Sequence, residues 1–523
     1  MDAFHRILRA LLLGGLCLPV LVPRPRPIPG RGPGSDEVSG RRPGSDDVSD
    51  LEADLRAPRP ETRRAAVQKL AGIGGRKAWD LVLRALADPE SMVADEAEVA
   101  LGGVADPKLA RELLGAAGLR ARDPWVRLRV AEAIGRMRIA FDAVELARTL
   151  LSCDAKEIDL RRTLLWSVER LAIARLVEGD RARIVREAES ILDSRAEPEL
   201  RGAALQALAA VDLLEAQPRI VERLSDRDGA LRCAALLAAA RLTEAECQSL
   251  SERGLEDAEP RVRAQAIENL EKLASRAAIL ALVHRMEIEK SQRLRFGILA
   301  WLRARSGLDL GFDGAGWREW AQKVEGKLAT GESRGVRLLP AGATKASFAG
   351  LSLVSDRVCF LVDFSGSTWQ TKVGEKTRKE ILDEKLRAAL EALPAGTRFN
   401  VIPYTNEAIP WEKGLVAADK ANVRRALEFF ERCRQSGRGN FYDAAMVALQ
   451  DPDVDTLVVL TDGVPTGGHR WNLELMVELL VERVRYRKVA IDSVLVDAPK
   501  PKQRLWADLA ARTGGRSTTA DLR

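Results

Sequence analysis

The sequence predicts a multidomain protein in which an all-α array of repeated helix pairs precedes an α/β domain with a doubly wound parallel sheet. Three observations support this fold class. One pattern recurs eight times between residues 51 and 308. Beyond about residue 351, short apolar runs alternate with amphipathic segments, and two of these runs end in acidic and hydroxyl residues. A chain of 523 residues, 46% of them hydrophobic, is long enough to give each part its own core.

The composition argues against several classes of function. Three histidines, His5, His284 and His469, leave little material for zinc sites or for histidine-based acid–base catalysis. The six cysteines show no C-x-x-C spacing, so a zinc ribbon is not expected. The net charge of +6 comes from 82 basic and 76 acidic residues that are interleaved along the chain. We expect no nucleic-acid partner, because such a partner requires a concentrated basic surface.

The first fifty residues predict a targeting segment and a tether. Residues 1–22 combine a short basic start with an apolar run from Ala10 to Val22, which has the length of a signal-peptide core and is short for a membrane span. Cleavage as a signal peptide and retention as an N-terminal anchor both fit, and both predict export to the periplasm, the cell surface or the medium. Residues 23–50 are rich in Pro, Gly and Ser and are predicted to be a disordered linker.

Residues 51–308 contain a repeated helical unit. The pattern Val/Leu-Arg-x-x-Ala-x-x-x-Leu has its anchors at positions 63, 94, 127, 161, 201, 232, 263 and 295, and seven of the eight anchors are arginine. Apolar residues at i, i+3 and i+7 form one buried stripe, and alanines let neighbouring helices approach closely. Because one helix pair cannot bury this stripe alone, stacking between units is predicted to stabilise the array.

The repeat is similar to the HEAT repeats in their short bacterial form. This resemblance implies a solenoid that serves as a protein-binding scaffold, although the pattern does not indicate which face binds. We predict that the repeated arginine pairs with an acidic residue of a neighbouring unit. Residues 309–350 are predicted to cap the array and to connect it to the next domain, with Trp317 and Trp320 as core residues.

Residues 351–523 predict the α/β domain. The predicted strands are 358–363, 398–404, 456–460 and 489–496, and the predicted helices are 376–393, 421–433, 442–449, 473–487 and 504–513. Continuous apolar strands separated by helices are typical of a parallel sheet covered on both faces. In such a sheet, ligands bind beyond the carboxyl ends of the strands.

The ends of two predicted strands carry the candidate site. The first strand runs into Asp363-Phe-Ser365-Gly-Ser367, and the third runs into Thr461-Asp462-Gly463. We expect these carboxylates and hydroxyls to meet at one edge of the sheet. Oxygen donors of this kind suit Mg²⁺, Mn²⁺ or Ca²⁺ rather than zinc.

These D-x-S-x-S and T-D-G motifs resemble the metal-ion-dependent adhesion site of the von Willebrand factor A domain, which has a Rossmann-like fold. The resemblance implies that Ser365 and Ser367 ligate a metal directly. It also implies that Asp363 and Asp462 accept hydrogen bonds from metal-bound waters, and that an acidic residue of a protein partner completes the metal shell.

One element departs from the family's pattern. Family members often carry a third ligating threonine ahead of an Asp-Ala pair, and alignment on Asp443-Ala444 places Gly439 at that position. Ser436, Asn440 or a water are candidate replacements for the missing hydroxyl. Alternatively, Arg438 turns inward and neutralises the two aspartates without any metal.

Three other residues are candidates for the rim of the site. His469 follows Asp462 by seven residues and is interpreted as an exposed loop residue, with a role in partner binding as the alternative. Trp369 and Trp411 are predicted to be partly buried, whereas an exposed tryptophan at this place would be an interface anchor.

The sequence therefore predicts a non-enzymatic, exported protein that recognises a protein partner through a divalent metal and a solenoid surface. It contains no G-x-x-x-x-G-K-[ST] phosphate loop and no G-x-S-x-G nucleophile elbow. A membrane contact is expected only through the N-terminal segment, and the oligomeric state does not follow from the sequence. Two alternatives stay open: a metal-independent scaffold with a degenerate site, and an accessory subunit of an ATP-driven complex, which would be cytoplasmic.

Overall fold

The structure is a computed structural model that describes residues 45–328, 346–366, 372–373, 375–433 and 437–520. Asp46–Arg523 forms one compact unit. The predicted targeting segment and most of the predicted linker lie outside the described residues, as do Ser367, Trp369 and Ser436. Within the described residues, every helix is too short or too polar to cross a membrane.

The first part of the described chain is helical. Its elements are α1 Ser45–Asp54, α2 Pro60–Ile73, α3 Gly75–Ala85, α4 Ser91–Gly102, α5 Pro107–Glu112, α6 Pro124–Ile134, β1 Phe141–Asp142, α7 Ala143–Ser152, α8 Ile158–Ile173, β2 Val177–Glu178, α9 Ala182–Asp193, α10 Pro198–Val211, α11 Leu213–Arg223, α12 Gly229–Ala239, α13 Glu244–Leu255, α14 Pro260–Leu273, α15 Arg276–Ile288, α16 Gln292–Ser306 and α17 Gly314–Gln322. The two short strands β1 and β2 pair in parallel.

The helices stack in two rows. Helices α2, α4, α6, α8, α10, α12, α14 and α16 contact one another in succession, and all eight repeat anchors lie on them. We call this row the anchor row. The intervening helices pack beside it and form the second row. This arrangement is the stacked array of helix pairs that the repeat predicts.

Five of the seven repeated arginines pair with acidic residues of the next unit, which confirms the predicted structural role at these positions. The pairs are Arg63–Asp88, Arg127–Glu157, Arg201–Asp226, Arg232–Asp257 and Arg263–Glu289. Each acidic partner lies in the turn or at the helix boundary just before the next helix of the anchor row. We call these five pairs the arginine ladder. At the end of the row Arg295 instead lies over the ring of Phe312, at 4.1 Å from its centroid.

The two ends of the solenoid differ in how well the sequence predicts them. Helix α1 begins inside the predicted linker 23–50, and Val48 and Leu51 pack in the solenoid core, so the linker prediction was wrong at its end. At the other end, Trp317 is fully buried and donates its indole N–H to the Gly311 carbonyl at 2.8 Å. Trp320 packs edge-on against it, so both tryptophans are part of the core as predicted.

The second part of the chain is an α/β domain. Its elements are β3 Ser347–Phe348, β4 Leu351–Ser352, β5 Arg357–Asp363, β6 Lys372–Val373, β7 Lys376–Thr377, α18 Arg378–Glu391, β8 Arg398–Tyr404, β9 Val416–Ala417, α19 Lys420–Arg432, α20 Phe441–Ala448, β10 Thr456–Thr461, α21 Leu473–Val484, β11 Ala490–Val496, α22 Lys500–Thr513 and β12 Ser517–Ala520. Six strands form one sheet in the order β12-β11-β10-β5-β8-β9, in which β9 alone is antiparallel to its neighbour.

The four predicted strands are present, but some boundaries differ. The edge strands β9 and β12 were not predicted, because neither is a long apolar run. Helix α18 begins at Arg378 rather than at residue 376, since Thr377 caps it in a reciprocal pair with Glu380. The domain also begins earlier than residue 351, because Ala346 and Phe348 are fully buried in its core.

The α/β domain docks on the anchor row of the solenoid. Tyr486, which follows α21, is buried within the solenoid's hydrophobic core. Lys488 pairs with Glu268 of α14 at 2.8 Å, and Arg485 pairs with Glu169 of α8 at 2.9 Å. The docked face therefore runs along several successive helices of the row.

Candidate functional site

The predicted site residues meet at the carboxyl edge of the sheet. Strands β5 and β10 are neighbours near the middle of the sheet, and they end at Asp363 and Thr461. The Thr461 hydroxyl donates to one carboxylate oxygen of Asp363 at 2.9 Å, and the Ser365 backbone N–H donates to the other at 2.8 Å. Asp462 follows Thr461 directly, so the structure brings Asp363, Ser365 and Asp462 together as predicted.

Asp363 is a buried acid beside a second acid. Asp363 is only 3% exposed. Burial, together with the charge of Asp462, raises the pKa of Asp363 to about 6, although the hydrogen bonds from Ser365 and Thr461 act in the opposite direction. Two carboxylates in a poorly solvated place repel each other, and a bound cation would offset that repulsion.

Gly463 of the T-D-G motif is required by the local geometry. Its φ angle is +83°, a left-handed conformation that favours glycine, and a Cβ atom there would lie 2.8 Å from the Cβ atom of Ala498. The Asp462 carboxylate accepts the backbone N–H of Val464 at 3.1 Å. This tight turn keeps the Asp462 side chain at the edge of the sheet.

A third loop closes on the site at residues 437–440. The backbone N–H of Gly366 donates to the Gly437 carbonyl at 3.1 Å. A Cβ atom on Gly439 would lie 3.3 and 3.6 Å from the two carboxylate oxygens of Asp363. Gly439 thus occupies a place beside the aspartate, where the family alignment puts the missing threonine.

The two residues flanking Gly439 are engaged elsewhere. The amide of Asn440 caps α20 and donates to the Asn406 carbonyl at 2.9 Å and to Asp443 at 2.7 Å. The Arg438 guanidinium binds Glu90 of the solenoid at 2.7 Å instead of turning toward the two aspartates. The contacts of Asn440 therefore do not support it as a replacement ligand, and the arginine-neutralised alternative does not match the side-chain placement. Ser436, the other candidate replacement, lies outside the described residues.

Thr466 was not predicted from the sequence and lies against Gly439. The backbone N–H of Gly439 donates to the Thr466 hydroxyl oxygen at 2.7 Å, and the backbone N–H of Thr466 donates to the Gly439 carbonyl at 3.0 Å. The sequence offered one indication, the glycine pair Gly467-Gly468 shortly after the T-D-G motif, which marks a loop that approaches another backbone closely.

Arg470, on the same loop, fixes this edge of the domain to the solenoid. Its side chain is fully buried and binds Glu98 of α4 at 2.5 Å and Glu132 of α6 at 2.7 Å. Asp95 of α4 accepts the next two backbone N–H groups, from Trp471 at 2.6 Å and from Asn472 at 2.7 Å. We call Asp95, Glu98, Glu132 and Arg470 the docking cluster. It connects segments more than 330 residues apart, and nothing in the local sequence predicts it.

The two glutamates of the docking cluster have opposite pKa shifts. Burial would raise the pKa of Glu98, but Arg470, Arg136 and Arg129 outweigh it and lower the pKa to about 2. Burial raises the pKa of Glu132 to about 8, against the attraction of Arg470. Of these two glutamates, Glu98 is thus the one that is charged at neutral pH.

His469 and Trp125 form a contact between the rim of the site and the solenoid. The two rings stack with their centroids 4.6 Å apart, and the His469 ring Nδ1 lies 2.9 Å from the Asp443 carboxylate. Half of the His469 side chain is exposed, as predicted for a loop residue. Trp411 is partly buried and stacks on Phe399 at 5.4 Å, which also agrees with the prediction.

The donors at the edge of the sheet fit a hard divalent cation. They are carboxylate and hydroxyl oxygens, which Mg²⁺ prefers together with water. Among the described residues no group of three or more His, Cys, Asp or Glu side chains is arranged to hold a metal. A metal at Asp363 and Asp462 would therefore depend on hydroxyls and waters for the rest of its shell.

Comparisons with known proteins bear on both parts of the chain. A family model described as HEAT repeats matches residues 185–271, from α9 to α14. Inter alpha-trypsin inhibitor heavy chain 4 of mouse is 32% identical over 130 residues, which cover 23% of this chain and 13% of that protein. Human inter-alpha-trypsin inhibitor heavy chain H2 is 28% identical over 130 residues. The chain thus spans about 13% of the length of these curated relatives.

Among solved structures, a von Willebrand factor type A protein from Catenulispora acidiphila is 18% identical, with a TM-score of 0.27 and coverage of 32% of this chain and 39% of that one. The grounds for the assignment of the second part are its own strand order and the D-x-S and T-D-G residues at the ends of neighbouring strands. The chain therefore combines a helical solenoid that contains HEAT repeats with an α/β domain that resembles the von Willebrand factor A domain, and we call the latter the A domain.

Proposed function

We propose that this chain is a non-enzymatic interaction protein that binds a divalent cation at the edge of its A-domain sheet and, through that cation, an acidic group of a protein partner. The observation that carries the proposal is the buried carboxylate of Asp363, held by Ser365 and Thr461 and close enough to Asp462 to respond to its charge. Mg²⁺ is the expected cation, with Mn²⁺ or Ca²⁺ as alternatives, because the donors are oxygens.

The side chains have distinct roles in this proposal. Ser365 and Ser367 bind the cation directly, while Asp363 and Asp462 accept hydrogen bonds from its water ligands. Ser367 enters from the sequence motif alone, because it lies outside the described residues. One coordination position is left for the carboxylate of the partner. The placement of Arg438 against Glu90 supports this version over a site neutralised by arginine.

The solenoid contributes by holding the A domain in one orientation. Its anchor row is in contact with α21 and with the loop that follows Asp462, through the docking cluster and the Lys488–Glu268 pair. A protein that binds the solenoid as well would meet the second row of helices rather than the anchor row. Interaction with proteins is the role that both domain types have in common.

Export and the absence of catalysis are further parts of the proposal. The apolar run within residues 1–22 supports export, and the missing phosphate loop and nucleophile elbow support a binding role. A reporter fused to the C-terminus tests the location. Activity of a cytoplasmic reporter would favour the alternative of an accessory subunit in an ATP-driven complex.

Isothermal titration of the full chain with Mg²⁺ tests the metal site. We expect binding heat with the wild type and none with Asp363→Ala. Asp453→Ala is the matched control, since Asp453 lies ahead of β10, at the opposite edge of the sheet, and pairs with the half-exposed Arg398. Absence of heat in the wild type would contradict the metal-dependent function.

A pull-down with and without a chelator tests the partner. We expect a protein retained by the wild type in Mg²⁺ to be lost on chelation and to be lost with Asp363→Ala, but to be retained by Asp453→Ala. If the protein is still retained in the presence of the chelator and by Asp363→Ala, the result would favour the metal-independent scaffold.

A further inference from the structure

The site has a gap where the family has a threonine, and the structure shows which group borders that gap. The point where a Cβ atom of residue 439 would stand lies 3.3 Å from one carboxylate oxygen of Asp363 and 3.7 Å from the hydroxyl oxygen of Thr466. Both oxygens therefore lie within 4 Å of the point from which the family's threonine side chain would begin. Ser365 lies in the same region, since its backbone N–H donates to Asp363.

The loop that carries Thr466 is built to bring it there. Two reciprocal backbone and side-chain hydrogen bonds join Thr466 to Gly439, at 2.7 and 3.0 Å. A Cβ atom on Gly467 would lie 2.7 Å from the Cβ atom of Arg438, and one on Gly468 would lie 1.8 Å from the Asn440 amide oxygen. Because side chains at these two positions would push the loops apart, the glycine pair permits the close approach.

The Thr466 hydroxyl retains capacity for a further bond. A hydroxyl oxygen has two lone pairs and one O–H donor, and the Gly439 N–H uses one lone pair. The other lone pair and the proton remain for a cation and for an acceptor. Thr466 is exposed, so a hydrated cation can reach it. By contrast, the Asn440 amide caps α20 with its oxygen and donates both N–H groups to Asn406 and Asp443.

We propose that the Thr466 hydroxyl replaces the family's missing threonine as the third hydroxyl ligand of the A-domain cation. This inference rests on the proposed metal-dependent function and adds a residue to it. In this arrangement, Gly439 provides the space and the N–H group that hold the hydroxyl in place, and the ligand comes from the T-D-G loop instead of the 437–440 loop.

The test measures Mn²⁺ binding to the full chain by electron paramagnetic resonance, together with the water-proton relaxivity of the bound ion. Thr466→Val is expected to weaken Mn²⁺ binding roughly tenfold and to add one inner-sphere water, because water takes the vacated position. Thr466→Ser keeps the hydroxyl and should match the wild type. Thr519→Val, an exposed threonine on β12, is the matched control and should change nothing.

A double variant separates ligation from a structural role. Gly439→Thr combined with Thr466→Val supplies a hydroxyl at 439 without restoring the hydrogen bond from residue 439 to residue 466. Recovery of the Mn²⁺ affinity and of the wild-type water number supports ligation. If Thr466→Val binds Mn²⁺ with unchanged affinity and water number while Asp363→Ala does not bind, the Thr466 assignment is wrong and the proposed function stands. A wild type that binds no Mn²⁺ overturns both.

Discussion

The arginine ladder of the solenoid and the docking cluster use the same chemistry in different surroundings. Arg232 of the ladder binds Asp257 and two backbone carbonyls, and it keeps 14% of its side chain exposed. Arg470 of the docking cluster is fully buried and binds Glu98 and Glu132. Arg232 thus pairs with carboxylates near the surface, whereas Arg470 pairs with acids that are buried.

The two sets of pairs stabilise different parts of the molecule. Ladder pairs join units that are neighbours in the chain, and loss of Arg232 leaves Asp257 close to solvent. The docking cluster joins two domains, and loss of Arg470 removes one of the buried counter-charges of Glu98, which costs more than loss of an exposed pair. The ladder therefore supports an array that tolerates local change, while Arg470 is the most deeply buried ionic contact that orients the A domain.

Substitution of Arg470 is expected to have the largest effect. Arg470→Met should weaken docking by about 3–5 kcal/mol, because Glu98 loses a buried counter-charge and Glu132 loses its hydrogen-bond donor. Hydrogen exchange is the measurement, since the N–H groups of Trp471 and Asn472 are bonded to Asp95 across the interface. Their exchange should accelerate by roughly a hundredfold or more.

The matched control for that experiment is Arg483→Met. Arg483 also crosses the interface, to Asp159 at 3.0 Å, but the two side chains are 30% and 68% exposed. Its removal should cost less than about 0.5 kcal/mol and leave the exchange of both N–H groups nearly unchanged. Equal effects of the two substitutions would show that burial of the arginine does not matter and would break the comparison.

A pH experiment tests the buried end of the ladder. Burial opposes the charged form of Glu289, but the bonds from Arg263 and from the Ser291 N–H outweigh it and hold its pKa at about 2, below the usual 4.5. A lowered pKa stabilises the fold above pH 4.5, and that stability is lost as the pH falls toward 2. At neutral pH the contribution should be about 2–3 kcal/mol.

Urea unfolding of Glu289→Gln, followed by helix circular dichroism, measures this contribution. The deficit relative to the wild type should be large at pH 7 and should shrink steadily below pH 4.5. Glu319→Gln is the control, because Glu319 and its partner Lys323 are both 71% exposed. A deficit of Glu289→Gln that does not depend on pH would contradict the assigned pKa.

The smallest expected effect on stability is that of substituting single ladder arginines, which should cost the same at equivalent positions. Arg63 binds Asp88 and two preceding carbonyls with the same pattern as Arg232 binds Asp257 and its two carbonyls. Arg63→Ala and Arg232→Ala should each lower the stability by about 1–2 kcal/mol, and the double variant should show the sum. Costs that differ severalfold between the two sites would mean that the ladder is not one repeated interaction.

This comparison also explains how much could be predicted from the sequence. The ladder was visible because its arginines recur at nearly constant spacing and their partners lie in the next turn. Asp363 and Asp462 were placed together because both follow apolar strands of a parallel sheet. Local periodicity and strand polarity were sufficient for these two results.

The remaining features depend on contacts that have no local pattern. Arg470 meets Glu98 across 372 residues, and no spacing rule relates them. Thr466 lies at Gly439 only because two loops fold against each other. Helix α1 was missed because its ten residues are polar on average and are helical next to the first solenoid unit, where Val48 and Leu51 are buried.

The most direct test of the account is anomalous diffraction from crystals of the full chain soaked in Mn²⁺. We expect an anomalous peak about 2 Å from the Ser365 hydroxyl oxygen, at the edge of the sheet between Asp363 and Asp462. An ordered edge with no peak, or a peak confined to another part of the molecule, would contradict it.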